Sequence, residues 1–189
     1  MGDTPHVAVL AAGRSTRFGG AKLEAICVGK PLGRWALDAV AGAGLGPDII
    51  VTGPNGVSFA NGWSTLVNPL PERGLGSSLA LAAQAALDAD APSLLVLLAD
   101  MPLVTPAYLR ELVALPAPAA TRQRHGRGGV PALFDRPLIA IATRLTGDRG
   151  AAPLLADVPL LDPPEGMLRD VDTREDLAQV EQALGGARP

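Results

Sequence analysis

A glycine-rich segment follows the first apolar run of the chain and limits what the chain can fold into. Residues 10–22 read Leu-Ala-Ala-Gly-Arg-Ser-Thr-Arg-Phe-Gly-Gly-Ala-Lys and come directly after Val7-Ala8-Val9. Glycine lets a backbone turn tightly and lie close to a ligand, and successive N–H groups in such a loop form an anion-binding concavity. The segment fits neither G-x-x-x-x-G-K-[ST] nor G-x-G-x-x-G, the two common phosphate fingerprints. We therefore predict a phosphate-binding loop of a third type at the end of a strand.

The cations of this segment support the same prediction. Arg14, Arg17 and Lys22 lie beside the glycines, which is enough positive charge to bind a polyphosphate. Lys22 and Lys30 are the only lysines of an arginine-rich chain, and a lysine is a compact point charge where an arginine is a planar fork. The alternative is an ordinary turn between a strand and a helix, with its basic residues facing solvent.

Short apolar runs alternate with longer Ala/Leu-rich runs along the chain, which is the pattern of βαβ units. The predicted strands are 6–11, 48–52, 65–67, 94–99, 119–123, 132–134 and 167–170. The predicted helices are 32–43, 77–89, 106–115, 137–145, 151–156 and 174–184. Thr105 before Pro106 and Thr173 before Asp176 are typical residues at helix starts. Residues 94–98 are apolar without interruption, as expected of a central strand that is covered on both faces. The sequence thus predicts a three-layer α/β/α sandwich around a mostly parallel sheet.

Composition narrows the function classes. The length of 189 residues and the lack of repeats predict a single domain over residues 1–189. A net charge of −3 without basic runs argues against a nucleic-acid partner. No apolar stretch has the length of a membrane span, and the N-terminus lacks the pattern of a signal peptide. The single cysteine, Cys27, lies between apolar residues, so we expect a packed thiol in a protein of the reducing cytoplasm.

Acidic residues are predicted at the same edge of the sheet as the glycine-rich loop. Asp100 follows the most apolar strand, and ligands of parallel sheets bind beyond the carboxyl ends of the strands. Magnesium takes one or two protein carboxylates together with substrate phosphates, so Asp100 is a candidate Mg²⁺ ligand. Asp170 or Asp172 could complete the site. The alternatives are a turn or helix cap at Asp100 and loop capping at Thr173.

Two further segments have the composition of binding loops. Residues 68–79 run from a strand into a helix whose start presents Ser77, Ser78 and free N–H groups, a second polar or anion-binding position; ordinary N-capping by serine is the alternative. Residues 147–150 read Gly-Asp-Arg-Gly between two helices. His6 and His125 have no neighbouring ligand pattern, and no nucleophile arrangement with Ser, Cys or His is present, so we expect no role for them in catalysis.

Taken together, these segments resemble the molybdenum cofactor nucleotidyltransferases, a family of Rossmann-like α/β nucleotidyltransferase domains with a mostly parallel mixed sheet. The resemblance covers nearly the whole chain, in residues 10–22, 29–32, 68–69, 74–79, 99–106, 129–134, 147–150 and 170–177. The first motif occurs in many nucleotidyltransferases. The combination of Gly-Leu-Gly-Ser-Ser-Leu, Ala-Asp-Met-Pro-Leu-Val-Thr-Pro and Gly-Asp-Arg-Gly is narrower and is similar to the molybdopterin cytidylyltransferase branch. Ala12 favours cytosine, because guanylyl enzymes typically carry glycine at that position.

The resemblance implies an Mg²⁺-dependent transfer of CMP from CTP to a phosphate of molybdopterin or its molybdenum-bearing form, with release of pyrophosphate. Lys22, Arg17 and Asp100 would be the catalytic residues, and Asp100 and Asp172 would bind the metal. The nucleotide would be bound by Leu10, Ala11, Ala12, Gly13, Arg14, Ser15, Lys22, Gly74, Ser77 and Ser78. A molybdoenzyme or its maturation chaperone is the implied protein partner.

One departure from the family pattern concerns the acceptor. The family commonly reads Gly-His-Pro where this chain has Gly129-Val130-Pro131. The residues therefore leave two other hypotheses open: a nucleotidyltransferase for a sugar phosphate or another phosphorylated metabolite, and a non-catalytic molybdopterin carrier. Intact Lys22, Asp100 and Asp172 argue against the carrier, since binding alone needs no pair of metal ligands.

Overall fold

The computed structural model of the chain describes residues 4–13, 17–148 and 150–186. Its strands, in chain order, are β1 (His6–Ala11), β2 (Ile26–Cys27), β3 (Lys30–Pro31), β4 (Ile49–Thr52), β5 (Ser64–Val67), β6 (Ser93–Leu98), β7 (Ala119–Arg122), β8 (Gly128–Asp135) and β9 (Leu160–Leu161). Its helices are α1 (Arg34–Gly42), α2 (Leu75–Asp88), α3 (Pro106–Val113), α4 (Arg136–Ala142) and α5 (Arg174–Gly186). Short 3₁₀ turns cover Lys22–Glu24, Pro71–Arg73 and Ala152–Leu155.

Seven strands form one mixed sheet in the order β5-β4-β1-β6-β8-β7-β9. The strands β5, β4, β1 and β6 are parallel, whereas β8 runs antiparallel to both of its neighbours, β6 and β7. The remaining strands, β2 and β3, pair separately as a small antiparallel hairpin. The sheet is therefore mostly parallel and mixed, which confirms the predicted α/β fold class.

The two faces of the sheet are covered by different helices. On β1, Val7 and Val9 pack in the apolar layer that contains α1 and α3, whereas Ala8 and Leu10 pack in the layer that contains α2 and α4. Alternate side chains of a strand point to opposite faces, and β6 divides its residues between the same two layers. This explains why residues 94–98 are apolar without interruption.

A third apolar cluster holds α5 against the hairpin of β2 and β3. It contains Phe18, Cys27, Leu32, Val171 and Val180, all of which are buried. The Cys27 thiol is unpaired and has no exposed surface. Burial, together with the negative charge of a nearby glutamate, raises the pKa of this thiol to about 11. Cys27 is a packed thiol, as predicted.

The helix starts predicted from Thr105 and Thr173 are confirmed. The hydroxyl of Thr105 accepts a hydrogen bond from the Tyr108 N–H. Thr173 and Asp176 form a reciprocal box, in which the Asp176 carboxylate accepts from the Thr173 N–H at 2.7 Å and the Thr173 hydroxyl accepts from the Asp176 N–H at 3.1 Å. These caps fix the points at which α3 and α5 leave the sheet edge.

Two predicted elements are wrong. Residues 167–170 are not a strand, because Pro164 and Gly166 direct the chain into a turn in which the Met167 N–H bonds to the Pro164 carbonyl. The outer position of the sheet is taken instead by β9, which was not predicted. The helix predicted at 151–156 is only the 3₁₀ turn Ala152–Leu155.

No helix in the described parts of the chain is long and apolar enough to cross a membrane. The single-domain organisation over residues 1–189 and the cytoplasmic location stay predictions.

Candidate active site

The parallel pairing of β1 and β6 brings the glycine-rich loop and Asp100 together. Leu10 lies opposite Leu98 in the register of these strands, and the Ala99 N–H donates to the Leu10 carbonyl at 3.0 Å. Parallel strands end at the same edge of a sheet, so the residues that follow them become neighbours. Gly13 and Asp100 thus come from segments 87 positions apart in the sequence and open on the same cleft.

The segment before α5 is fastened to the same place. The Val171 N–H donates to the Asp100 carbonyl at 3.1 Å, while the Val171 side chain is fully buried. The Thr173–Asp176 box holds the following residues, and the Asp172 N–H also donates to the Asp176 carboxylate. Asp172 is therefore presented beside Asp100 by backbone contacts on both sides of it.

Lys22 lies between these two carboxylates. Its ammonium donates to Asp100 Oδ2 at 2.8 Å and to Asp172 Oδ1 at 3.2 Å, and its side chain is only 7% exposed. Burial by itself would lower the pKa of Lys22, but the charges and hydrogen bonds of the two aspartates outweigh it and raise the pKa above its usual value. The ammonium is therefore charged at neutral pH.

Arg17 makes a second, more exposed contact with the same group. Its Nη1 atom donates to Asp172 Oδ2 at 2.6 Å, and its side chain is 76% exposed. An ion pair this exposed contributes at most about 1 kcal/mol to stability, because water and salt screen it. The contact places the guanidinium at the mouth of the cleft, where it can reach a bound anion.

The donor set fits a magnesium ion that binds together with a nucleotide. Asp100 Oδ1 is buried and has no hydrogen-bond partner in the described residues, so one carboxylate oxygen is unused. Within the described residues, no group of three or more His, Cys, Asp or Glu side chains is arranged to hold a metal. Two carboxylates without a complete protein cage are what Mg²⁺ uses when phosphates supply further ligands.

Asp170 lies close to this pair but makes no ion pair within the described residues. Loss of solvation in the cleft, together with the negative charges of Asp100 and Asp172, raises the pKa of Asp170 above its usual value. Among the described residues, Lys22 contacts Asp172 and not Asp170.

A cleft of about 650 Å³ contains most of the residues predicted for the site. These are Leu10, Ala11, Ala12, Gly13, Arg17, Lys22, Gly74, Ser78, Asp100 and Asp172. Glu72, Asp148 and Asp170 line it as well. Arg14 and Ser15 lie outside the described residues. Ser77 is the one described residue of the predicted set that does not line this cleft.

The two serines at the start of α2 are held by Asn68. The Asn68 amide, which is buried, donates to Ser77 Oγ at 2.9 Å and to Ser78 Oγ at 3.0 Å. Ser77 also donates to the Gly74 carbonyl, so its hydroxyl is used within the protein. Ser78 Oγ accepts from Asn68 and lines the cleft, which leaves its hydroxyl hydrogen to donate to a ligand.

The segments 74–76 and 146–148 are packed tightly against each other. The Gly76 N–H donates to the Gly147 carbonyl at 2.9 Å, and the Gly147 N–H donates to the Arg73 carbonyl at 2.8 Å. A Cβ atom on Gly76 would lie 2.8 Å from the Thr146 carbonyl carbon, closer than real Cβ atoms approach. Gly74 and Gly76 are thus needed for contact between two pieces of backbone.

The sequence reasoning missed one wall of the site. The loop after β4, residues 53–57, lines a second space of about 380 Å³ together with Ala11, Ala12 and Gly13. The loop reads Gly-Pro-Asn-Gly-Val and follows a parallel strand, so the rule that pointed to Asp100 could also have found it. The glycine-rich loop therefore separates two adjoining spaces, and Ala12 lines both.

A further cleft of about 590 Å³ adjoins the first through Leu98 and Asp170, which line both. Its polar side chains include Gln123, Arg124 and His125 from the β7–β8 connection, and Arg169, Asp176 and Gln179 from the α5 region. Val130, in the segment that departs from Gly-His-Pro, also lines it. His125 had been expected to have no catalytic role; the structure places it, exposed, at this cleft.

Comparison with known proteins agrees with this geometry. Residues 7–164 match the MobA-like NTP transferase domain family. The chain belongs to this family. The match covers the β1 loop and Asp100, and it ends before Asp170, Asp172 and α5. The chain is therefore a nucleotidyltransferase by family, whereas its substrates are not determined by the match. No curated protein matches the chain significantly.

Solved structures extend the comparison over nearly the whole chain. Rv0371c from Mycobacterium tuberculosis H37Rv is 30% identical, with a TM-score of 0.81 over 96% of this chain and 100% of that one. Its complex with manganese is 27% identical in the alignment, with a TM-score of 0.76 over 95% and 100% of the two chains.

Two more distant structures share the fold. A nucleotidyl transferase from Methanothermobacter has a TM-score of 0.82 at 21% identity, over 97% of this chain and 98% of that one. A CMP-2-keto-3-deoxy-manno-octonic acid synthetase complexed with CTP has a TM-score of 0.72 at 16% identity, over 98% and 100%.

Proposed function

We propose that this member of the family is a cytidylyltransferase that uses Mg²⁺ to transfer CMP from CTP to a phosphate of molybdopterin or its molybdenum-bearing form. A phosphate oxygen of the acceptor forms a bond to the α-phosphorus of CTP. The bond from that phosphorus to the bridging oxygen breaks, and pyrophosphate leaves with the electron pair.

The observation that carries the proposal is the convergence of Asp100, Asp172 and Lys22 beside Gly13. The Lys22 ammonium touches both carboxylates, and all four residues line one cleft. Phosphoryl-type transfer needs positioning and charge neutralisation more than a protein nucleophile. A site with carboxylates and cations at a glycine-rich loop has those properties. The manganese complex of Rv0371c adds support for a divalent metal in this part of the family.

The side chains have separate tasks in this proposal. Asp100 and Asp172 hold Mg²⁺, which when bound neutralises negative charge on the phosphates. The loop N–H groups after Ala12 orient the phosphate oxygens, and Lys22 and Arg17 stabilise the charge that develops on pyrophosphate. Ser78 Oγ, already held as an acceptor by Asn68, donates its hydrogen to the nucleotide.

The proposal of CTP rests on Ala12. This residue is 8% exposed and lines both spaces beside the loop. Its methyl group reduces the room for a base near the backbone, so the smaller cytosine ring is favoured over guanine. The CTP complex of the synthetase with the same fold is consistent with a pyrimidine nucleotide in this architecture.

The proposal of a phosphorylated, ring-bearing acceptor rests on the cleft of about 590 Å³ that adjoins the first at Leu98 and Asp170. Arg124 and Arg169 supply positive charge, while Leu98, Met101 and Val130 supply apolar surface. Asp170 lines both clefts, so an acceptor there is adjacent to the metal-binding carboxylates. A sugar phosphate is the second candidate acceptor, favoured by the absence of the family histidine at Val130. A molybdoenzyme or its maturation chaperone is the proposed recipient of the product.

The test is a panel of CTP, GTP, ATP and UTP assayed for pyrophosphate release, each with molybdopterin, with sugar phosphates and without acceptor. We expect release that requires Mg²⁺ and molybdopterin and is fastest with CTP. Release with a sugar phosphate but not with molybdopterin would show that the acceptor is a sugar phosphate. Binding of molybdopterin without release from any nucleotide would favour the carrier.

A further inference from the structure

Lys22 occupies the position between the two carboxylates proposed to bind the metal. Its ammonium lies 2.8 Å from Asp100 and 3.2 Å from Asp172, which are hydrogen-bonding distances to one oxygen of each. A single ammonium thus contacts both carboxylates. A divalent cation held by both Asp100 and Asp172 would therefore have to share these carboxylates with the ammonium or displace it.

The lysine is held there by its own segment. The Lys22 N–H donates to the Gly20 carbonyl at 2.9 Å, and the Lys22 carbonyl accepts from the Ala25 N–H at 3.1 Å within a 3₁₀ turn. The side chain is 7% exposed, so it has little freedom to turn toward water. Because Gly20 and Lys22 belong to the glycine-rich loop, a phosphate bound to the loop lies close to the ammonium.

Charge decides when the ammonium can be displaced. Like charges a few ångströms apart repel, and a partly buried cleft screens them less than bulk water does, so the ammonium strongly opposes a nearby divalent cation. A triphosphate brings several negative charges into the cleft and offers the ammonium new acceptors. With nucleotide present, the lysine and the metal no longer need the same oxygens.

We propose that Lys22 acts as a resident cation that keeps the metal site filled until nucleotide binds, so that divalent metal binds tightly only together with the triphosphate. The inference rests on the proposed function, since it takes Asp100 and Asp172 as the metal ligands. It goes further by assigning Lys22 a role in the nucleotide-free protein. Lys22 is here a positioning residue that sets the order in which metal and nucleotide bind.

The test measures Mn²⁺ binding to the whole chain without nucleotide, by electron paramagnetic resonance and calorimetry. We compare the wild type with Lys22→Met, which keeps the length of the side chain and removes the charge. We expect Lys22→Met to bind Mn²⁺ more than about tenfold more tightly. Lys30→Met is the matched control, because Lys30 also pairs with a carboxylate, that of Asp38, but lies outside the cleft. Its Mn²⁺ affinity should equal that of the wild type.

Arg17→Met distinguishes occupation of the site from a general change of charge. Arg17 carries the same charge, and in the described part of the chain it contacts Asp172 Oδ2 but not Asp100, so its removal should strengthen Mn²⁺ binding much less than Lys22→Met. Equal gains in the two variants would show a general charge effect and would overturn the proposal. So would unchanged or weaker Mn²⁺ binding in Lys22→Met.

A second arm adds α,β-methylene-CTP, which cannot release pyrophosphate. The analogue should raise the Mn²⁺ affinity of the wild type more than about tenfold and that of Lys22→Met by a smaller factor, because the variant has no ammonium to displace. Lys22→Gln is the second uncharged variant if Lys22→Met does not fold. A measurement on the wild type alone also tests the proposal. If Mn²⁺ raises the Tm of the wild type as much without the analogue as with it, the proposal is overturned.

Failure of this inference differs from failure of the proposed function. The nucleotide-free measurements do not depend on turnover, so a chain that releases no pyrophosphate can still show the gain in Lys22→Met. If the protein turns over CTP but binds Mn²⁺ tightly without nucleotide, the proposed function stands and the inference about Lys22 is overturned.

Discussion

Two glycine-rich segments border the same cleft and use glycine for different reasons. The first segment follows β1 and contains Gly13 and Gly20. The second segment is residues 74–76 at the start of α2, which pack against residues 146–148 and Gly150. A Cβ atom on Gly13 or Gly20 would meet nothing within 4 Å among the described residues, so these two glycines of the first segment have free space around them. A Cβ atom on Gly76 or Gly150 would collide with the protein, within 2.8 Å of the Thr146 backbone or the Leu75 side chain. The first segment leaves room for a ligand, whereas the second leaves room for another part of the chain.

This difference teaches that a glycine-rich motif beside a site is not by itself a contact with substrate. Both segments have a composition that predicts ligand binding, but Gly13 and Gly20 have free space around them whereas Gly74 and Gly76 pack against backbone. The second positions the N-terminus of α2, and thereby Ser78, at the wall of the cleft. Substitutions in the two segments should therefore change different measured quantities.

The largest effect is expected at Asp100, next to the first segment. Asp100→Ala should lower turnover more than tenfold, equivalent to over about 1.4 kcal/mol of barrier, because it removes a metal ligand and a partner of Lys22. Steady-state pyrophosphate release with Mg²⁺ measures the loss, and circular dichroism checks that the fold is kept. Near-normal activity of Asp100→Ala would show that Asp100 is not a metal ligand of the active site.

The neighbouring aspartates give a ranked control. Asp172→Ala should lose activity to a similar degree, and Asp170→Ala less, since only Asp172 contacts Lys22 and Arg17. The reverse ranking would identify Asp170 as the metal ligand.

A change at Lys22 should alter catalysis and binding together. Lys22→Ala should lower kcat and raise KM for the nucleoside triphosphate, because the ammonium is proposed to stabilise the transition state as well as the bound phosphates. Initial rates over a range of CTP concentrations separate the two constants. A higher KM with unchanged kcat would limit Lys22 to ground-state binding.

A substitution in the second segment should lower the stability of the fold. Gly76→Ala should lower the free energy of unfolding by about 1–3 kcal/mol, because the new methyl group forces the backbone of residues 146–147 away. Denaturant unfolding measures this value. Gly20→Ala, in open space and without a positive φ, should change it by less than about 0.5 kcal/mol. If Gly76→Ala and Gly20→Ala were destabilised equally, the two segments would not differ in their need for glycine.

The smallest effect concerns the choice of base. One methyl group in a pocket discriminates by only about 1–3 kcal/mol, so kcat/KM for CTP should exceed that for GTP by at least about tenfold. Ala12→Gly should narrow this difference. A wild type that prefers GTP would contradict the cytidylyl assignment and leave the nucleotidyltransferase family unchanged.

Local patterns predicted the elements whose cause is local. The strand β1, the apolar run of β6 and the caps at Thr105 and Thr173 follow from neighbouring residues, and the structure contains each of them. The error at residues 167–170 arose because an apolar residue pattern there resembles a strand, while Pro164 and Gly166 select a turn and β9 takes the sheet edge. The short strands β2, β3 and β9 are too short for a periodic signal.

By itself, the sequence determined that an α/β sheet carries a glycine-rich segment after its first strand and that acidic residues follow its strands, since periodicity, glycines and capping residues act over a few positions. Only the tertiary structure decided which charges meet. The distances from Lys22 to Asp100 and Asp172 depend on the pairing of β1 with β6 and on the bond from Val171 to Asp100. The packing of residues 74–76 against residues 146–148 was decided in the same way. Contacts between segments 70 to 150 positions apart arise from the path of the chain, which no local pattern contains.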